Sequence, residues 1–282
     1  MRIAEKVAVV TGGGSGIGRS LCRELAARGC HGLVVADIDV DSAAEVASGI
    51  REEHPSVEVI AARCDVRLEP AVDELLELTV RHFGRLDIAF SNAGVLRSGA
   101  AWETTSEEWS AVLGVNLWGV IHGVRSFVPY FIERGEGHLV NTASIAGFTS
   151  AGGLAAYNAS KHAVVAISET LQRDLLINGV PDVKVSVLCP GFVATSIAAD
   201  PGTRRGTTRV GRGISRTLSE WIPAATDPSE VAVGAVDGVE RDDFYILTHP
   251  AELLPQLHHR IDDLERGRTP GPALLPPTPE VP

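Results

Sequence analysis

Apolar and polar positions along this chain follow two rhythms. Seven short runs are apolar almost without interruption: KVAVVTG (6–12), HGLVVAD (31–37), VEVIAAR (57–63), LDIAFSN (86–92), GHLVNTAS (137–144), VKVSVLCP (183–190) and FYILTH (244–249). Runs of this length and composition are those of strands buried on both faces. Between them the spacing becomes helical, most plainly from Ser42 to Glu53 and from Glu69 to Phe83, where apolar residues recur three and four apart with charges opposite. Strands alternating with helices predict an α/β fold: a single doubly wound Rossmann-type domain over residues 1–268, with a mostly parallel seven-stranded sheet and helices on both faces. Its ligand site belongs at the carboxyl ends of the strands.

Two stretches break the rhythm. Phe192 to Asp227 is a long connection rich in Gly, Arg and Thr, which reads as a substrate-binding loop or lid. Phe192, Ile197, Leu218, Trp221 and Ile222 are its candidate apolar walls and would suit a hydrophobic substrate, or equally form ordinary packing. Arg205, Arg209, Arg212 and Arg216 recur at 4, 3 and 4 residues, a positive stripe if the segment is helical. An anionic group on the substrate would use such a stripe, but a solvated helix face or a subunit contact is the more usual reading of a charge run. The last stretch, TPGPALLPPTPEVP (269–282), is too dense in proline to continue a helix or a central strand and is expected to be disordered.

Composition narrows the function. Of 282 residues, 36 are acidic and 25 basic, a net charge of -11, which argues against a nucleic-acid partner. Cys22, Cys30, Cys64 and Cys189 have no C-x-x-C spacing, so neither a metal site nor a disulfide framework is signalled, and buried thiols in a reducing compartment are expected. The first residues do not form a signal peptide, and no apolar stretch of membrane-spanning length stands out. A cytoplasmic protein with no membrane partner is expected.

The chemistry starts at VVTGGGSGIGRS (9–20). Glycines between a strand and a helix bring backbone N–H groups onto phosphate at the helix N-terminus. Here Arg19 stands where a triphosphate-binding loop needs lysine, and Gly12-x-x-x-Gly16-x-Gly18 also misses the usual dinucleotide fingerprint. Nineteen residues after Gly18, the second strand ends in Asp37, the spacing at which an acid bonds a ribose 2′-hydroxyl. Asp37 would repel a 2′-phosphate, and Ile38 and Ser15 supply no positive charge, so NAD is expected over NADP; the alternative is that Asp37 caps the next helix. Asp65 and Val66 repeat the arrangement at the third strand, where an adenine would sit. Ser91-Asn92-Ala93-Gly94 ends the fourth with small residues that permit close backbone approach.

Ser144 follows the fifth strand, and thirteen residues later come Tyr157 and Lys161, one helical turn apart and on one face. To exchange protons near neutrality a phenol must be brought from about 10 to near 7, roughly 4 kcal/mol. An ammonium about 4 Å away supplies on the order of 4 kcal/mol at an effective dielectric near 20. Ser144 would hold the substrate oxygen beside the phenol.

From Lys6 to about Thr195 the chain resembles the short-chain dehydrogenase/reductase family, through TGGGSGIG, Asp37, Asp65, Asn92-Ala93-Gly94, Asn116, Ser144, Tyr157-x-x-x-Lys161 and Pro190-Gly191, all in the family's order. The resemblance implies Tyr157 as catalytic acid/base, Lys161 as its tuner and ribose ligand, Ser144 as substrate orienter and Asn116 as holder of a water in a proton relay. It also implies that Gly12, Ser15, Gly16, Ile17 and Gly18 line the cofactor phosphates and that Pro190, Gly191, Val193 and Thr195 lie at its nicotinamide end. Ser91 departs from the family, many members having asparagine there. The implied activity is interconversion of a secondary alcohol and a ketone with NAD, by a homo-oligomer, dimer or tetramer. A catalytically silent NAD-binding sensor of the same fold is the alternative.

Overall fold

The computed structural model describes residues 1–198, 210 and 225–271. All seven apolar runs are strands: β1 (Val7–Thr11), β2 (Gly32–Asp37), β3 (Glu58–Arg63), β4 (Ile88–Ser91), β5 (Gly137–Thr142), β6 (Val183–Cys189) and β7 (Tyr245–Leu247). They lie in the order β3-β2-β1-β4-β5-β6-β7. Every pairing is parallel, so the sheet expected to be mostly parallel is wholly so. Each of the first six strands is joined to the next in the chain by a helical crossover, which brings all carboxyl ends to one edge, and the order reverses between β1 and β4.

The helices are α1 (Gly16–Ala27), α2 (Val40–Glu53), α3 (Glu69–Phe83), α4 (Ser106–Leu113), α5 (Gly119–Arg134), α6 (Ala155–Ile177), α7 (Pro228–Arg241) and α8 (Pro250–Glu265). α2 begins two residues before the sequence reading placed it because Asp39 caps it, accepting from the backbone N–H of Asp41 and Ser42. Alternate strand residues serve opposite layers. Ala8, Val10, Leu33 and Val35 pack with Leu21 and Leu25 of α1, Ile50 of α2 and Val236 of α7. Val9, Val34 and Ala36 pack with Val72 and Leu75 of α3, Phe127 and Phe131 of α5 and Leu175 of α6.

The expectation that no stretch reaches membrane-spanning length needs correction. Ser106–Arg134, comprising α4, a π turn at Gly114–Trp118 and α5, is long and apolar enough to pass that test by length and composition. Its apolarity serves the sheet: Val120, Phe127, Val128 and Phe131 are buried in the protein's own core.

At the opposite edge from the strand carboxyl ends, Asp87 is fully buried and accepts from Val7 N–H at 2.8 Å and from Arg85, with Arg134 at 3.3 Å. The four cysteines are buried and free.

The connection leaving β6 and the one entering α7 meet. Val193 and Thr226 form an isolated parallel bridge, and Ala194 N–H donates to Thr226 O at 2.9 Å. Leu218, Trp221, Ile222 and the four arginines from Arg205 to Arg216 lie outside the described residues, as do 272–282 of the tail.

Candidate active site

One cavity of about 500 Å³ opens at the carboxyl ends of the strands. Its walls hold the glycine loop at the end of β1, Asp37 of β2, Asp65 and Val66 after β3, Asn92 to Gly94 after β4, Ser144 after β5, Tyr157 and Lys161 of α6, and Pro190, Gly191, Val193 and Thr195 after β6. Of the residues put forward from sequence for cofactor or chemistry, Asn116 alone does not line it.

The glycine loop is built for close approach. Gly12 has φ 66°, which favours glycine, and a Cβ on it would meet Ala93 Cα at 2.9 Å; a Cβ on Gly18 would fall onto the Gly12 carbonyl. Ser15 is the N-cap residue of α1, but no side chain caps this helix, and Gly16, Ile17 and Gly18 line the cavity. Its first turn therefore offers N–H groups and the positive end of its dipole to an anion. Asp37 is not the cap of α2, since Asp39 is. Its carboxylate accepts from Gly14 N–H at 2.9 Å and Asp39 N–H at 3.0 Å, which fixes it beside the loop with acceptor capacity to spare. Asp65 takes a bidentate ion pair from Arg67, at 2.8 and 2.6 Å, and that bond holds its carboxyl below the usual range.

Thr11 Oγ1 accepts from the N–H groups of Asn92 and Ala93, and Asn92 Nδ2 donates to Thr11 O, so the end of β1 sets the end of β4. Ser91 is buried, and a Cβ on Gly123 of α5 would collide with its Oγ, so the smaller side chain at 91 belongs to a close helix-strand contact. Asn116 sits fully buried in the π turn. Its Oδ1 accepts from Val95 N–H at 2.8 Å, and its Nδ2 donates to Val95 O at 2.9 Å and Ser160 Oγ at 3.2 Å. The side chain is a strut between α6 and the chain after β4.

Ser144 Oγ accepts from Ala146 N–H and donates to Pro190 O at 3.4 Å. Lys161 is 3% exposed; its Nζ donates to Thr142 O at 2.8 Å and lies 5.7 Å from the centre of the Tyr157 ring. Burial brings the ammonium down to about 8 and pushes the Tyr157 phenol above its usual value, against the opposing effect of its hydrogen bond with Ser144. Taken by themselves, the chain's own groups leave the phenol a weaker acid than in water.

Sequence reasoning missed Arg67, Arg97, Thr142, Leu154 and Gln256, all on the cavity wall. Thr142 was open to discovery as the last residue of an apolar run. Gln256 belongs to α8, which reaches the cavity by tertiary packing that no local pattern announces.

A doubly wound parallel sheet with a glycine cradle, a carboxylate ending β2 and a tyrosine-lysine pair on one cleft is a Rossmann-type architecture. Residues 6–205 match the family model for short chain dehydrogenase. The chain belongs to the short-chain dehydrogenase/reductase family of oxidoreductases. It is similar to a short-chain dehydrogenase/reductase from Burkholderia phymatum solved in complex with NAD, with TM-score 0.90, 38% identity, and 98% of this chain and 99% of that one covered. It is 34% identical to 1-deoxy-11-beta-hydroxypentalenate dehydrogenase of Streptomyces exfoliatus over 283 aligned positions, 99% of this chain and 94% of the relative. An alcohol dehydrogenase from the archaeon Thermococcus sibiricus, complexed with 5-hydroxy-NADP, matches with TM-score 0.71 and 26% identity over 86% of this chain and 95% of its own.

Proposed function

We propose that this protein is an NAD-dependent oxidoreductase that interconverts a secondary alcohol and a ketone, with Tyr157 moving the proton of the substrate oxygen. The observation that carries the reading is the convergence of Ser144, Tyr157 and Lys161 on the same cavity as the glycine loop and Asp37.

The residues fit the cofactor. The uncapped first turn of α1, with Gly12, Ser15, Gly16, Ile17 and Gly18, would hold its phosphates; Asp37 and Lys161 its riboses; Asp65 and Val66 its adenine; and Asn92, Ala93, Gly94, Tyr157, Pro190, Gly191, Val193 and Thr195 the nicotinamide half. Asp37 disfavours a 2′-phosphate, and Arg67, a cation on the cavity wall, is committed to Asp65, which supports NAD rather than NADP. When bound, the nicotinamide supplies the hydride acceptor or donor and, oxidised, a positive charge near the phenol.

Ser144 presents a hydroxyl to the substrate oxygen, and Tyr157 takes the alcohol proton or returns it to the ketone. Lys161, fixed by Thr142 O, supplies positive charge below the ring. The Asn116 side chain is spent on Val95 and Ser160, so a relay water at this point would be held by the main chain of the π turn. Leu96, Leu154, Phe192 and Ile197 cluster by Tyr157 and line the cavity, which suits an apolar substrate. The Streptomyces relative, whose name specifies a hydroxylated substrate, supports oxidation at an alcohol carbon. Exposed Trp118 at the end of the π turn, Ile132 of α5, and Leu176 and Ile177 of α6 fit a homo-oligomer, dimer or tetramer.

The test is a panel of secondary alcohols with NAD, followed at the absorbance of reduced nicotinamide, alongside NADH titration. Tyr157→Phe should lower turnover about a hundredfold or more while NADH binding stays nearly unchanged. Binding without turnover in the unaltered protein would favour the sensor.

A further inference from the structure

His249 lies between β7 and α8 and does not line the cavity, yet one imidazole ties three connections together. Its Nδ1 accepts from Gly191 N–H at 3.0 Å and lies 2.8 Å from Thr248 Oγ1; its Nε2 lies 2.8 Å from Thr226 Oγ1. A backbone N–H can only donate, so Nδ1 carries no proton; Nε2 carries it and donates to Thr226 Oγ1. Thr226 in turn receives Ala194 N–H on its carbonyl and pairs with Val193. Both ends of the Gly191 to Ala194 backbone are thus fixed through the histidine, directly at Gly191 and through Thr226 at Ala194. Gly191, Val193 and Thr195 line the cavity, and Pro190 O receives Ser144 Oγ.

We propose that His249 is a positioning residue for the cofactor: held between Gly191 and Thr226, it sets the backbone after β6 against the nicotinamide half of the cleft. The proposal rests on the reading of this cleft as a dinucleotide site. A histidine that served packing alone would affect stability and leave cofactor affinity where it was. A positioning histidine affects affinity, and its effect is recovered by any side chain that returns an acceptor to Gly191 N–H.

The experiment uses the full chain and NADH, with affinity read from nicotinamide fluorescence and KM for NAD compared with kcat. His249→Ala is expected to raise the NADH dissociation constant and the KM for NAD about tenfold, the effect of one lost hydrogen bond that leaves a partly buried donor bare, with a much smaller change in kcat at saturating cofactor. His249→Asn, whose Oδ1 can take the place of Nδ1, should recover most of the affinity. Thr226→Val should weaken binding in the same direction, and the double variant His249→Ala/Thr226→Val should be no weaker than His249→Ala alone, because the threonine acts through the ring. The proposal is overturned if His249→Ala binds NADH as the unaltered protein does, or if His249→Asn is as weak as His249→Ala when both keep the parent melting temperature. An unaltered protein that binds no nicotinamide dinucleotide would instead bring down the reading of the cleft, and this proposal with it.

Discussion

Lys161 shows what a single residue gives up to serve a site. Its ammonium falls from an ordinary 10.5 to about 8 because it is buried with one carbonyl as its partner. Across pH 8 to 10.5 the unfolded chain holds a proton that the folded chain has released, so this residue's contribution to stability rises with pH over that window and is least favourable below it. Lys161→Met should therefore stabilise the cofactor-free protein by about 1 to 2 kcal/mol at pH 7, after the lost bond to Thr142 is counted. Urea midpoints at pH 7 and pH 10 check this: the gain should shrink at the higher pH, and equal gains would refute the origin in burial. At Asp37 the expected effect is on selectivity. Asp37→Ala should shift the ratio of kcat/KM between NAD and NADP toward NADP by about tenfold, the worth of removing one like charge from a partly screened anion site; an unchanged ratio would take the choice of nucleotide away from this carboxylate. Tyrosine, lysine, serine and the strand-end acids were legible because each occupies a fixed offset from a readable element. The upward displacement of the phenol was not, since spacing carries no information on desolvation.

Among the elements, the strands were read almost to the residue, because burial on both faces leaves no polar interruption to confuse them. The helix after β4 was harder. Asn116 sits in a π turn joining α4 to α5, and Pro129 lies inside α5, against its local preference, because Phe127 and Phe131 hold the helix on the sheet. That packing depends on the first residue of β5: a Cβ on Gly137 would overlap the Phe131 ring. Gly137→Ala should lower stability by about 1 to 3 kcal/mol through overpacking, read as a drop in urea midpoint, with NADH affinity preserved because the contact lies away from the cavity. An unaffected midpoint would mean that α5 shifts freely on the sheet.

Taken whole, the molecule divides its tasks between the two edges of one sheet. Asp87, Arg85 and Arg134 fasten the amino-terminal edge, and the cavity occupies the carboxyl-terminal one. The architecture was legible because a repeated strand-helix rhythm admits few topologies. The share of α8 in the cavity was not: Gln256 reaches the wall on a helix that Arg260 attaches to Phe148 O and His162, contacts that join residues about a hundred positions apart.

The paired backbone of Val193, Ala194 and Thr226 also bears on how such a protein can change over time. Because these rungs pin the backbone where it leaves β6 and where it enters α7, a change in the length of chain between them re-registers no strand, and doubling a loop adds only about 0.6 kcal/mol of closure entropy. The register of β6 on β7, and with it the placing of Tyr157 and Lys161 on the cleft, is insulated from changes of length between the two rungs.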